Sequence, residues 1–150
     1  MLETPNLTIR AMQPEDAVIA DSCSKLYPSL LQLDPPIGRT RLPVYYSLLI
    51  KDTDEYIGIC SLYNYNRLNR EIELGIRIVK PDYWGKGYGS EVVNALCEFV
   101  FNDYSVTSVL AKTPVYNTRA IACYKKCGFT QYAQGTLDGY QMVFLVRREF

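Results

Sequence analysis

The sequence predicts an α/β (α+β layered) fold, a mixed and mostly antiparallel central sheet flanked by helices, in a single domain spanning residues 1–150. Three observations predict it. The chain has 150 residues, 48% of them hydrophobic and 13% aromatic, enough to bury one core without staples. Hydrophobic periodicity gives the order β-α-(α)-β-β-β-α-β-α-β-β, a meander followed by alternating strands and helices. A turn carrying three glycines in five positions, Gly85, Gly87 and Gly89, joins a strand to a helix.

Leu7–Met12 alternates and reads as the first strand. Pro14-Glu15-Asp16 then opens a helix, since proline and acids are favoured in a first turn, and Val18, Ile19 and Cys23 form its inner stripe. Between Tyr27 and Pro43 the prolines Pro28, Pro35 and Pro36 break any long helix, leaving a short helix near Ser29–Leu33 and a loop. Val44–Lys51 and Tyr56–Tyr65 are β-branched and aromatic, and Asp52-Thr53-Asp54 turns them into a hairpin. Glu71–Val79 follows, with Ile72, Leu74, Ile76 and Ile78 on one face and Glu71, Glu73, Gly75 and Arg77 on the other. The next helix runs from about Gly87 to Asn102, where Val92, Leu96, Phe99 and Val100 recur at helical spacing. Thr107–Lys112 is a strand, and Asn117–Cys127 is a helix closed by Gly128. Phe129–Gln134 and Gly139–Arg148 are strands joined around Asp138-Gly139.

Lys+Arg and Asp+Glu balance at 16 each, so the basic footprint of a nucleic-acid binder is missing. The chain has no histidine, which removes Ser-His-Asp and Cys-His catalysis. Proton transfer then falls to Glu, Asp, Tyr, Lys, Cys or water. The five cysteines contain no C-x-x-C, and zinc would find no histidine, so they read as buried reduced thiols with no metal site. No charged-then-apolar N-terminal segment stands out, and no apolar run approaches ~18 residues. The expectation is a soluble, cytoplasmic protein with no membrane or nucleic-acid partner.

A strand, a glycine turn and a helix N-terminus make an anion site, because first-turn amides lack helical partners and the dipole favours negative charge. Glycine also lets a phosphate approach the main chain. A P-loop is excluded, since Gly89 is followed by Ser90-Glu91, and the G-x-G-x-G spacing is not a dinucleotide fingerprint. Read alone, the turn is equally a tight bend that uses glycine for positive φ.

The turn is not alone. The segment ELGIRIVKPDYWGKGYGSEVV resembles the coenzyme A motif of GCN5-related N-acetyltransferases, Q/R-x-x-G-x-G/A, which falls on Trp84-Gly85-Lys86-Gly87-Tyr88-Gly89. NTRAIACYKKCGF, residues 117–129, is similar to the family's second motif, and the element order matches the family's fold. The Trp-Gly-Lys-Gly-Tyr-Gly form most resembles the ribosomal-protein N-acetyltransferase-like branch.

The resemblance implies acetyl transfer from acetyl-CoA to a primary amine, by direct attack in a ternary complex. The acceptor would be a protein N-terminus or a small amine, and homodimers are common in the family. Amides of residues 85–90, including those of Tyr88 and Ser90, would hold the pyrophosphate. Ile78 and Val79 match strand positions that bond the pantetheine arm, with the Val79 amide facing the oxyanion. Trp84 departs from the usual Gln or Arg, so a side-chain contact is lost there. Lys86 suggests a phosphate contact, or a solvated loop lysine. Tyr124 matches the tyrosine that protonates the leaving thiolate, and Asn117 a residue touching the coenzyme arm, although asparagine also suits an N-cap.

Glu73, in Glu73-Leu74-Gly75, matches the carboxylate that takes the amine proton through water, with Glu71 a lesser candidate on the same face. A base matters more for lysine, pKa about 10.4, than for an α-amine near ~8. The acceptor would be read by the Tyr27–Pro43 loop and Tyr63–Asn69, with Tyr63, Tyr65 and Arg67 at the entry. The alternative reading is a non-catalytic domain of the same fold that binds coenzyme A or a partner. An ATP-binding reading lacks the Walker lysine–hydroxyl pair.

Overall fold

The structure is a computed structural model that describes residues 2–13, 15–16 and 44–149. The stripe of Val18, Ile19 and Cys23, the helix at Ser29–Leu33 and the Tyr27–Pro43 loop lie outside the described residues.

Among the described residues the strands are β1 (Leu2–Glu3), β2 (Leu7–Ala11), β3 (Val44–Ile50), β4 (Tyr56–Asn66), β5 (Glu71–Ile78), β6 (Ser108–Pro114), β7 (Thr130–Leu137) and β8 (Tyr140–Arg148). Helix α1 spans Tyr88–Asp103 and α2 spans Thr118–Lys126. The strands form one sheet in the order β1-β2-β3-β4-β5-β6-β8-β7. β5 and β6 are parallel, and the other neighbours are antiparallel. The mixed, mostly antiparallel architecture expected from the sequence is the one observed. Periodicity did not reveal two short pieces, β1 and a single 3-10 turn at Pro81–Tyr83.

Each element forms for a local reason. Along β5, Ile72 and Leu74 are buried in the core, whereas Glu71 and Glu73 lie on the opposite face, as the period of two requires. α1 packs on β5 and β2 through the fully buried Val92, Val93, Leu96, Cys97 and Val100. Each such aliphatic side chain contributes roughly 1.5–3 kcal/mol relative to exposure. Asp138 and Gly139 take φ of 52° and 83°, the two-residue turn that suits a right-twisted hairpin, and Leu137 pairs with Tyr140 across it.

Two fixed points hold the sheet. Gly58 faces Ile78 across β4 and β5, and a Cβ there would collide with the Arg77 carbonyl oxygen and lie 2.9 Å from Ile78 Cα. Asp16, 2% exposed, accepts hydrogen bonds from Arg10 at 2.7 and 3.1 Å, from the Gln13 amide at 2.9 Å and from Ser47 Oγ at 2.8 Å. Burial alone would raise the Asp16 carboxyl, but these bonds and the Arg10 charge outweigh it and hold it below its usual range.

Gly58→Ala is expected to destabilise the protein by about 3 kcal/mol, read by urea unfolding, because the strands must part to admit the methyl group. Gly135→Ala, with open space around it, is the control and should move stability by under ~1 kcal/mol. Asp16 contributes its full stabilisation above the ordinary aspartate pKa of about 3.9 and loses it as pH falls through the lower folded-state value. Asp16→Asn should therefore lower the melting temperature at neutral pH and flatten the acid limb of the stability curve.

Candidate active site

The site begins where two strands separate. β5 and β6 pair at Glu71–Ser108, Ile72–Val109 and Glu73–Leu110, and neither strand pairs with the other beyond that point. β5 still runs to Ile78 and β6 to Pro114. On its other side β5 stays bonded to β4, with the Val79 amide donating to the Ile57 carbonyl at 2.8 Å. Strand alternation then turns the N–H and C=O of Ile76 and Ile78 toward the split. This corrects the expectation for Val79. Its amide is spent on the sheet and its side chain is 1% exposed, so Ile78 offers the open-edge groups.

A cleft of about 290 Å³ occupies the split, with Ile76 and Ile78 on one wall and Asn117, Ala120 and Tyr124 on the other. Trp84, Gly85, Gly87, Gly89 and Ser90 form its mouth. Gly85 and Gly87 have φ of 72° and 86°, and nothing lies within 4 Å of where their Cβ atoms would be. Their backbone conformation, rather than crowding, demands glycine. Gly89 differs, since a Cβ there would meet Cys123 Sγ at 3.3 Å, so it lets α1 approach α2. α1 has Gly87 at its N-cap and no side-chain cap. Its first-turn amides, from Tyr88 to Ser90, therefore keep their donors for another partner. The one acid of that turn, Glu91, is drawn away by the Asn6 amide at 3.2 Å and Asn6 Nδ2 at 3.1 Å.

The approach to the turn is clamped. Lys80 Nζ donates to Glu55 Oε2 at 2.8 Å, and the Tyr83 hydroxyl donates to Glu55 Oε1. Those bonds hold the Glu55 carboxyl below its usual range, and the Glu55 bond raises the Tyr83 hydroxyl. Lys86 Nζ sits 5.5 Å from the Tyr83 ring centre, and the Tyr88 ring packs 6.0 Å from Tyr83. Trp84 Nε1 donates to the Ile78 carbonyl at 2.7 Å, and the Arg119 Cζ lies 3.4 Å from the centre of the Trp84 ring. Desolvation there lowers the Arg119 pKa, though arginine remains a cation.

Asn117 is the N-cap of α2. Its Oδ1 accepts from the Ala120 amide at 3.3 Å and its Nδ2 donates to Thr113 Oγ1 at 3.2 Å. Tyr124, 4% exposed, faces the cleft and packs 5.3 Å from the Phe129 ring. Cys123 also lines the cleft, and burial raises its thiol. Burial pushes the Cys97 thiol up to about 12 and the Cys60 thiol higher still, so neither is a ready nucleophile.

Glu73 stands at the last rung before the split. Its Oε1 accepts from Asn64 Nδ2 at 3.0 Å and its Oε2 lies 3.5 Å from Lys112 Nζ. Both charged side chains are largely buried, at 15% and 13% exposure, so each needs the other. Asn64 takes φ of 51° beside a register shift in β4, which aims its amide at the carboxylate. A second hollow, about 440 Å³, is lined by Asn64, Tyr65, Arg67, Glu71, Glu73 and Leu110. Tyr65 and Arg67 border it, whereas Tyr63 is 4% exposed and underlies Lys112, whose Nζ is 5.7 Å from its ring.

Lys112, Asn64 and Arg119 were not singled out by the sequence. Arg119 lay inside the second motif, two residues past its asparagine. The Lys112 pairing depends on the β5–β6 register, which no local pattern carries.

Residues 32–130 match the acetyltransferase (GNAT) domain family. The chain belongs to that family. It is similar to the uncharacterized N-acetyltransferase p20 of Bacillus licheniformis, 29% identical over 113 residues, which is 70% of this chain and 63% of that protein. In fold it resembles spermidine N-acetyltransferase from Vibrio cholerae in complex with CoA and spermine, with a TM-score of 0.78, 17% identity and 96% of each chain covered. It also resembles AAC(6')-Ib in complex with ribostamycin and coenzyme A, with a TM-score of 0.72, 22% identity, and 96% and 94% of the two chains covered. Among the described residues no helix is long and apolar enough to cross a membrane.

Proposed function

We propose that this GNAT-family chain transfers an acetyl group from acetyl-CoA to a primary amine, with residues 1–150 acting as one catalytic unit. The observation that carries the reading is the β5–β6 ladder that stops at Glu73–Leu110, beside a helix N-terminus without a side-chain cap. The residues fit acetyl-CoA. The turn at Gly85–Ser90 offers amides to a diphosphate, and the edge groups of Ile76 and Ile78 offer a strand-like partner to the amide-bearing pantetheine arm. The apolar cleft then leads toward Tyr124.

In the ternary complex the amine nitrogen forms a bond to the acetyl carbon as the carbon–sulfur bond breaks. The Tyr124 phenol delivers a proton to the departing thiolate. Glu73 receives the amine proton through water, oriented by Asn64 and kept in place by Lys112. Each transfer contributes roughly 10²–10⁴-fold when well placed. Asn117 holds the start of α2, and with it Tyr124, against the cleft.

The favoured acceptor is a small, cationic amine rather than a protein N-terminus. Glu71 and Glu73 place two carboxylates in the second hollow, and two fold neighbours were solved with spermine and with ribostamycin. A non-catalytic coenzyme-binding role is the competing reading, and no specific observation favours it.

Free-thiol release from acetyl-CoA, measured across polyamines, aminoglycosides, amino acids and peptides, tests the proposal. Turnover with a polyamine or aminoglycoside is the expected result, and no release with any amine would overturn it. Tyr124→Phe should lower kcat by about 10²-fold or more while the Kd for coenzyme A stays within about twofold. Glu73→Gln should lower kcat by a similar factor, with the loss diminishing as pH rises and more of the amine is already neutral.

A further inference from the structure

We propose that Arg119 binds a phosphate of the coenzyme, held for that task by Trp84. The inference rests on the acetyl-CoA reading above. Three observations lead to it. Trp84 is the chain's one tryptophan, and its Nε1 is tied to the Ile78 carbonyl at 2.7 Å, so the ring is pinned to the end of β5. The Arg119 Cζ lies 3.4 Å from the centre of that ring, a cation–π contact that orients the guanidinium. Both side chains line the same cleft mouth as Gly85 and Gly87.

Among the described residues no carboxylate lies within salt-bridge distance of Arg119. The ring contact leaves the in-plane N–H donors of the guanidinium for oxygen acceptors, the geometry that suits phosphate. Lys86, the more obvious cation by sequence, instead points its ammonium at the Tyr83 ring and does not line the cleft. An anion seated on the α1 amides would thus meet Arg119 from the opposite wall. A lysine at 119 could carry the charge but not the planar fork of donors.

Coenzyme A carries a diphosphate and a 3′-phosphate, and either supplies the oxygen chemistry inferred here. Titration calorimetry with coenzyme A, 3′-dephospho-coenzyme A and pantetheine tests the assignment. Arg119→Ala should weaken coenzyme A binding ~10- to 100-fold, in line with one charge-assisted contact, and leave pantetheine binding unchanged. Arg119→Lys and Trp84→Leu should fall between the two. In turnover, KM for acetyl-CoA should rise while kcat holds. If the Arg119→Ala defect vanishes with the dephospho compound, the contact is to the 3′-phosphate; if it persists, it is to the diphosphate, and both support the proposal. Equal coenzyme A affinity for wild type, Arg119→Ala and Arg119→Lys would overturn it while leaving the acetyl-CoA reading intact. Failure of the wild type to bind coenzyme A would sink both. Quenching of the Trp84 emission by coenzyme A gives an independent readout.

Discussion

Backbone amides and carbonyls at a strand edge must find partners somewhere, because burying them unpaired costs about as much as losing a hydrogen bond. That constraint governs this molecule beyond Glu73 and Leu110, where β6 leaves the side of β5. β4 satisfies one edge of β5 throughout, down to the bond between Val79 and Ile57. The other edge, at Ile76 and Ile78, faces a cleft, and the Trp84 indole supplies a donor to Ile78. A carbonyl oxygen has two lone pairs, so this bond leaves room for a second donor. The tight approach at Gly58 and the Glu55 clamp hold the open edge steady from behind and from its end.

The same opening organises the chemistry. Ile72 and Leu74 are buried against α1, and two residues further along the same face Ile76 borders empty space. Nothing in side-chain type changes between them; the departure of β6 changes their surroundings. Glu73, on the other face at the fork, is held by Asn64 and Lys112. Tyr124 reaches the cleft from α2. Tyr124 thus lines the cleft and Glu73 the second hollow, with the end of the β5–β6 ladder at Glu73.

Much of this was legible in the sequence, and what was not has a physical reason. Among the described residues, the strands and helices that periodicity predicts are found with ends displaced by three residues at most. The Asp138-Gly139 hairpin and the Asn117 cap follow from residue type, because only a few residues suit those conformations. The glycine turn was located, but its three glycines serve two purposes, backbone conformation at Gly85 and Gly87 and helix approach at Gly89. A count of glycines cannot separate those. The direction of the Val79 amide depends on which neighbour each edge of β5 finds, a tertiary fact that no local pattern carries. Lys112 and Arg119 acquire meaning only through partners about forty residues away or across a helix–turn contact.

The bond between Asn6 and Glu91 has a consequence for the ends of the chain. Glu91 belongs to the first turn of α1, where a carboxylate is drawn to free amides, yet Asn6 holds it outward. The turn between β1 and β2 therefore acts as a tether on that carboxylate. Without that turn Glu91 would lose both of its Asn6 donors and stand unpartnered by them at the start of α1.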